Sequence, residues 1–347
     1  MTPTGKNATI KDVAHGAGVS LATVSRVINH ANNVSTELQQ RVWEVVEQLG
    51  YNPNSAARSL IKQKTGCIGI VVHNLHDPFF HELIKGFEIG ASRTQYSVVF
   101  CSVFGSDLQS KEKYLKYLTN GVVDAVILYG SYLSDESVVR YLQEKSSINY
   151  VLIENNMQEI ECNKLLVDNK TGAKEAVEYL LKKKHTKIAC ICANPNKKVS
   201  IDRFNGYMAA MREANLEVED GYIQYATADY SSGYDRLKAL MQLPIPPSAV
   251  FCGDDAIASY AIRAALDMGI RVPEDLSIIG FDNQAILPGC YRGPEITSVA
   301  QPLQQIGIDS VTLLSEQLSG KEPIEPVVKK YSTAIVEKQS VAEYHEK

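Results

Sequence analysis

Apolar strands alternating with amphipathic helices predict an α/β protein, and a short all-helical stretch ahead of them predicts a separate N-terminal head. Three observations carry this reading. Runs such as CIGIVV, VDAVILYG and SAVFCGDD are continuously apolar, as the strands of a parallel sheet covered on both faces must be. Helix-length patterns separate these runs, the alternation expected of doubly wound units. The 347-residue length is more than twice the ~150 residues of a typical domain, so several compact units are required. The predicted architecture is a helix-turn-helix head followed by two doubly wound parallel-sheet lobes.

Composition narrows the class. With 45% apolar and 22% charged residues, the chain is an ordinary globular one. Its net charge of −5 is unevenly spread. Residues 1 to 64 hold seven Lys or Arg against four acids, 7 − 4 = +3, which leaves −8 for the rest. A small basic head on an acidic body suits local contact with nucleic acid. No apolar run reaches the ~20 residues of a membrane span, and MTPTGKNATIKDV lacks the apolar core of an export signal, so a cytoplasmic location and no membrane partner are expected. The seven cysteines are too dilute for a disulfide scaffold. Cys190 and Cys192 in KIACICA share one strand face and read as core, since no second ligand pair at metal spacing is present. The two imidazoles and one carboxylate of HNLHD, with His73 and His76, are a combination common by chance in one loop. No metal and no cofactor are expected.

In the head, Thr9 and Asp12 suit the start of a first helix over IKDVAHGA, which Gly18 ends. Ser20 is a natural N-cap for a second helix, LATVSRVI, and Ala14, Val24 and Val27 can bury together. A third helix follows in STELQQRVWEVVEQLG, where Leu38, Val42, Val45, Val46 and Leu49 recur at helical spacing between Ser35 and Gly50, with Trp43 covering one side. The N-terminal part of the second helix can enter a major groove. There Arg26 can donate two bonds to guanine, while Thr23 or Ser25 bonds phosphate or a base edge. Read as local structure alone, Ser20 and Thr23 are caps and Arg26 is a solvated side chain. Next, Pro53 interrupts the chain, and Asn54 to Lys62 can form a short helix with Ala56, Ala57 and Leu60 on one stripe. So short a helix needs a partner copy or DNA to hold it.

The body begins at Thr65. A first set of strands and helices runs to INYVLIE, and a second set opens after LLVDN and runs to LSIIGFD. Two such lobes form a cleft, and clefts bind small molecules. Asp254 and Asp255 finish one strand, Asp282 and Asn283 another, and Arg203 is expected to start the helix of IDRFNGY. Carboxylates with a guanidinium can grip vicinal hydroxyls, and Phe79 or Phe80 can stack on a sugar face. The acids of GDD equally suit capping of the helix that follows them.

These pieces resemble the lactose-repressor and galactose-repressor family of bacterial transcription regulators from about Thr9 to about Val336. TIKDVAHGAGVSLATVSRVIN, LGYNPNSAARSL, VPEDLSIIGFDN, ITSVAQPL and IGIDSV carry the resemblance. It implies lobes like those of periplasmic sugar-binding proteins and a homodimer reading a pseudo-palindromic double-stranded operator. Leu21 and Ala22 then select bases, and Ser20, Thr23, Ser25, Arg26, Tyr51 and Asn54 join the DNA contacts. Two copies of the 54 to 62 helix would pair in the minor groove, with Leu60 wedged into a base step and Ala57 supporting it. The implied divisions are a head at 1–53, a hinge at 54–65, an N-lobe at 66–163 and 300–320, and a C-lobe at 164–299 and 321–340. The lobe crossings are expected near Val167, near Val299 and just after Gly320. Ligand closing the cleft would rotate the N-lobes and so alter operator affinity.

By the same resemblance Arg203 grips the effector, a sugar or sugar derivative, and Asp282 accepts its hydroxyls. The cleft set is thus Phe79, Phe80, Arg203, Tyr230, Asp254 and Asp282. Two departures stand out. Asp254 replaces an asparagine common in the family, and an ionised acid cannot donate a hydrogen bond. Ala228 lies where several members keep an aromatic platform, with Tyr230 as a substitute. The function implied is a repressor of carbohydrate-utilisation genes. Its alternatives are a catabolite-type regulator answering to a phosphorylated carrier protein, and a DNA-binding protein with a vestigial cleft. An enzyme is not expected, since no phosphate-binding glycine loop or nucleophile elbow is present. The C-terminal SVAEYHEK lacks leucine heptads, which favours a dimer over a tetramer.

Overall fold

The computed structural model describes residues 8–28, 34–51, 64–103, 107–227, 231–284, 291–320 and 325–346. The chain forms two compact units, one up to Thr65 and one from Gly66 onward. In the first, helices α1 (Ile10–Gly16), α2 (Leu21–Ile28) and α3 (Thr36–Leu49) enclose a small core of Val13, Ala14, Val24, Val27, Val42 and Val46, with Trp43 packed at its edge. Thr9 and Asp12 form the capping box at the start of α1. Gly18 turns the chain between α1 and α2 at φ +64°, a left-handed conformation that costs glycine little. Gly50 ends α3 in the same way.

The second unit carries two six-stranded sheets. The first comprises β1 (Cys67–His73), β2 (Ser97–Val103), β3 (Ala125–Tyr129), β4 (Asn149–Ile153), β5 (Asn163–Val167) and β11 (Val328–Tyr331), in the order β11-β5-β4-β3-β1-β2 and parallel throughout. The second comprises β6 (Ile188–Cys192), β7 (Ile223–Tyr225), β8 (Ala249–Cys252), β9 (Ser277–Asp282), β10 (Thr297–Ala300) and β12 (Ala334–Val336), in the order β12-β10-β9-β8-β6-β7. Only its edge strand β12 is antiparallel. The interior strands are buried residue after residue, which accounts for the uninterrupted apolar runs. Cys190 and Cys192 are buried among them.

The lobe boundaries differ in part from those expected. The first crossing does follow Val167, but the division at 163/164 falls inside β5: Asn163 to Val167 pairs with β4 in the first sheet. The third crossing follows Tyr331 rather than Gly320, because β11 adds to β5 at the edge of the first sheet before β12 joins the second. A short edge strand carries too weak a pattern to show which sheet it will join. The first lobe also takes in the helix Leu303–Leu318, which packs on the helix Phe80–Ser92. At that contact a Cβ on Gly86 would lie 2.2 Å from the Gln304 carbonyl oxygen, so only glycine permits the approach.

Candidate nucleic-acid interface and ligand cleft

Helix α2 shows how the head divides its surface. Val24, Val27 and Ile28 are buried, while Ser20, Leu21, Ala22 and Arg26 are exposed and Thr23 and Ser25 are half-buried. Ser20 caps the helix, its Oγ accepting from the Thr23 N–H at 3.1 Å and pairing with Thr23 Oγ1 at 2.9 Å. Leu21 is 44% exposed, the large apolar side chain that this helix leaves in solvent. An apolar side chain offered to solvent suits contact with a thymine methyl in a groove. Tyr51 is half-buried against the head core. Asn54, Ala57, Leu60 and the whole expected 54 to 62 helix lie outside the described residues.

In each sheet of the body the strand order reverses once, between β1 and β3 and between β6 and β8. Ligand crevices in open α/β sheets form at such points, beyond the carboxyl ends of the strands. His73 and Tyr129 end β1 and β3, and Ala193 and Asp254 follow β6 and β8. All four line one cavity of about 180 Å³, with Phe79, Phe80, Arg203 and Asp282. At ~10–15 Å³ per water centre this holds on the order of a dozen waters, the scale of a small sugar.

Arg203 is the polar centre of the cleft. It is 6% exposed and its guanidinium lies 3.8 Å above the Phe281 ring. Its Nη2 pairs with Asp282 Oδ1 at 2.8 Å, Nη1 donates to the Gly253 carbonyl at 2.7 Å, and Nε donates to Asn169 Oδ1 at 2.9 Å. Asn169 in turn donates to Glu154 Oε2 at 2.9 Å, and Glu154 Oε1 accepts from the Val167 N–H at 2.7 Å. The chain of bonds thus runs from the end of β4 through the first crossing to the end of β9. Burial pushes the Glu154 carboxyl up to about 7. Asp282 has φ +97°, an unfavourable backbone for a residue with a side chain, and its carboxylate also accepts from Gln301 and Gln284. The bonds to Arg203 and the two glutamines hold that strained position.

Both roles expected for the GDD acids coexist. Asp254 Oδ1 caps the following helix by accepting from the Ile257 N–H at 2.8 Å, and the residue lines the cavity. Asp255 ties the same turn to β10 through Ser298 Oγ at 2.7 Å and to the Gln284 N–H at 2.8 Å. Burial, then the Asp282 charge, pushes the Asp254 carboxyl up to about 6. The unfolded value is ~3.9, so the stability linked to its protonation is fully present below about pH 4 and is lost as pH rises through 6. Asp254→Asn keeps a capping oxygen and removes this titration. Urea melts at successive pH values should therefore show the variant gaining on the parent between pH 4 and 7, by ~2–3 kcal/mol. Parallel curves would refute the buried-carboxylate assignment.

The two lobes also touch through backbone. The Leu133 N–H donates to the Asn196 carbonyl at 2.9 Å and the Lys198 N–H to the Ser131 carbonyl at 2.8 Å, around an antiparallel bridge between Tyr132 and Lys197. The Tyr132 ring lies under two ammonium groups, Lys111 at 5.2 Å and Lys197 at 5.3 Å from its centroid. Lys198 is the first residue of its helix and Lys197 before it is extended at φ −100°, ψ 130°, a place where proline is tolerated. Lys198→Pro should leave the helix intact and delete one cross-lobe bond, worth ~1 kcal/mol. Stopped-flow dilution should then show bound ligand leaving about fivefold faster, and an unchanged rate would mean that the bridge does not restrain opening.

The structure brings together Phe79, Phe80, Arg203, Asp254 and Asp282 in one cavity, and Tyr230 and Ala228 lie outside the described residues. Sequence reasoning missed Tyr129, Tyr132, Lys197, Asn169, Glu154 and the cleft role of His73. A signal existed for His73: a polar residue closing an apolar strand marks the carboxyl end where crevices form. Nothing local marks Lys197 or Asn169, which reach the cleft network because they sit at the N-terminal ends of the helices Lys198–Glu213 and Asn169–Lys182. Among the described residues no group of three or more His, Cys, Asp or Glu is arranged to hold a metal ion, and no helix is long and apolar enough to cross a membrane.

A head that presents a recognition helix, joined in sequence to a two-lobed cleft of parallel sheets, defines the class of ligand-responsive DNA-binding regulators. Residues 9–54 match the bacterial regulatory proteins of the lacI family, and residues 177–341 match the periplasmic binding protein-like domain. The chain is 34% identical to the HTH-type transcriptional repressor PurR of Aliivibrio salmonicida over 90% of its own length and 93% of that protein. It is 33% identical to the HTH-type transcriptional repressor CytR of Escherichia coli K12, over 90% and 91% of the two chains. Among solved structures, a complex of the transcriptional regulator CelR with cellobiose aligns at a TM-score of 0.72 and 27% identity, covering 96% of this chain and 99% of that one. The protein belongs to the lacI family of bacterial transcription regulators.

Proposed function

We propose that the protein is a repressor that binds a pseudo-palindromic operator as a homodimer and changes its operator affinity when a small sugar-like effector occupies the inter-lobe cleft. The observation that carries the reading is the cavity between the two lobes with the Arg203–Asp282 pair at its centre. Solvent-exposed Leu21, Ala22 and Arg26 on α2 supply the base-reading surface, and Leu60 in the hinge supplies the wedge. The repressor relatives and the cellobiose-bound neighbour support a carbohydrate-responsive regulator working on DNA in the cytoplasm.

The test is fluorescence anisotropy of the full chain on its own upstream intergenic DNA at fixed salt, because counterion release sets much of the affinity. Sugars, sugar phosphates and nucleosides are added in turn. One compound should shift the affinity at least tenfold, a coupling of ~1.4 kcal/mol. Leu60→Ala should weaken specific binding far more than non-specific binding, since only a kinked site rewards the wedge. Tight DNA binding that no compound alters would sink the effector part of the proposal.

A further inference from the structure

The polar chain that ends on Arg203 has a direction, and one carboxyl sets it. Glu154 follows β4 in a left-handed backbone, φ +58°, which is costly for a residue with a side chain. Its Oε1 accepts from the Val167 N–H at 2.7 Å and its Oε2 from Asn169 Nδ2 at 2.9 Å. Asn169, 2% exposed, is turned in the one way that suits its other neighbour. Arg203 Nε can only donate, so it takes the amide oxygen at 2.9 Å and leaves the amide nitrogen for Glu154. Both partners of the Glu154 carboxyl are therefore N–H donors. The ionised form accepts at both oxygens, whereas a protonated one turns a hydrogen toward a donor.

The surroundings bring the two forms close in energy. Burial raises the carboxyl to about 7 against the pull of the Val167 N–H, the Arg203 charge and the Asn169 amide, and Asp202 adds to the rise. The groups that bear on it from other elements are Tyr129 at the end of β3 and Arg203 and Asp202 on the helix Lys198–Glu213. Burial holds the Tyr129 phenol well above its ordinary value, so it stays protonated. His73, whose ring lies 5.5 Å from that of Tyr129, is kept neutral by burial and by the Lys111 and Lys197 charges. Asp168, next to Asn169, is engaged by Lys330 at 2.9 Å and by the Thr171 N–H at 3.2 Å. Asp254, which bears on Arg203 from the second lobe, is the other carboxyl raised toward neutrality, to about 6.

We propose that Asn169 is a positioning residue for Arg203 whose orientation is set by the charge of Glu154, so that proton uptake by Glu154 releases Arg203 from the first lobe. With Glu154 ionised, the line from Glu154 through Asn169 ties the end of β4 to the guanidinium. Glu154 is 7% exposed, and the proton it takes up comes from solvent. Its new O–H needs an acceptor, and the Asn169 amide supplies one by turning its oxygen over. The amide nitrogen then faces Arg203 Nε, donor against donor, and that bond is lost. The remaining polar contacts of Arg203, to the Gly253 carbonyl and to Asp282, both lie in the second lobe. The inference concerns the chain alone and holds whatever the cleft binds.

The test is nitrogen-15 correlation spectroscopy of the unliganded full chain with labelled arginine, followed from mildly acid to mildly alkaline pH. The Arg203 Nε–H signal is assigned by its loss in Arg203→Lys. In the parent it should move from a weakly bonded position at the acid end to a hydrogen-bonded one at the alkaline end, with a midpoint at about 7. Glu154→Gln, whose amide donates as the protonated carboxyl does, should hold the acid-end position throughout. Asp254→Asn should leave the titration in place. Glu154→Gln combined with Asn169→Asp reverses the polarity of the pair: the new amide donates to the new carboxylate, which also accepts from Arg203 Nε. That variant should keep the hydrogen-bonded position at every pH, a rescue that a merely packed amide would not give. A parent signal unmoved by pH would overturn the proposal, as would equal titration in Glu154→Gln, loss of the titration in Asp254→Asn, or a folded double variant at the acid-end position. The parent titration needs no substitution, so it decides the matter even where a variant does not fold.

Discussion

Replacing Arg203 with alanine is expected to abolish the ligand response and to lower the melting temperature of the cleft-bearing unit by about 10 °C. The guanidinium makes three polar contacts, and its loss leaves Asp282, 7% exposed, as an unpaired buried carboxylate on a strained backbone. Breaking one side of a buried pair costs ~3–5 kcal/mol, and for a unit of this size each kcal/mol moves the midpoint by ~2–4 °C. The double variant Arg203→Met with Asp282→Asn removes both charges. It should recover most of the melting temperature and none of the ligand response, as read by calorimetry and by anisotropy on operator DNA. Recovery of the response in the double variant would show that Arg203 serves stability alone.

Asp135→Ala should be equally costly, and for a reason outside the cleft. Asp135 and Lys111 form an ion pair with both side chains fully buried in the first lobe. Burial pushes the lysine down and the carboxyl up, and each is partly offset by the partner's charge. Removing the carboxylate strands an ammonium group in the core, again at ~3–5 kcal/mol. Asp135 Oδ2 also accepts from the Tyr132 N–H at 3.1 Å, so the change loosens the residue at the centre of the cross-lobe bridge. Urea unfolding should show the loss, and Lys111→Met combined with Asp135→Leu should restore the parent stability or exceed it. A small loss in the single variant would mean that Lys111 reaches solvent after the change.

Much of this was legible along the chain because it depends on local rules. Ser20, Gly18 and Gly50 act where caps and turns must act, and the expected Ala14, Val24, Val27, Val42 and Val46 form the head core, while Leu49 at the end of the same stripe is 43% exposed. The apolar strand runs specified parallel sheets because a doubly covered strand has no polar face. Asp254 and Asp282 stood out as polar groups at strand ends, where crevices open, whereas Arg203, read as the start of a helix, lies in the second turn of the helix Lys198–Glu213.

Placement in the sheets was not legible to the same degree. The boundary at 163/164 cut through Asn163–Val167, which hydrogen-bonds to β4 and belongs whole to the first sheet. Val328–Tyr331 likewise joins β5 across more than 150 residues of sequence. Such pairings depend on which sheet edge is free, and no periodicity within a short strand records that.

The sequence by itself determined the class of protein, the helix-turn-helix head and the strand-end groups of the cleft, since each follows from composition, capping or period over a few residues. Only the tertiary structure decided that His73 is packed among Tyr129, Tyr132 and Phe80 with Nε2 on Ser131, that Tyr132 and Lys197 bridge the lobes, and that Glu154 reaches Arg203 through Asn169. Those contacts join residues far apart in the chain. Their partners are chosen by how two sheets face one another across a cleft, a geometry that no local pattern encodes.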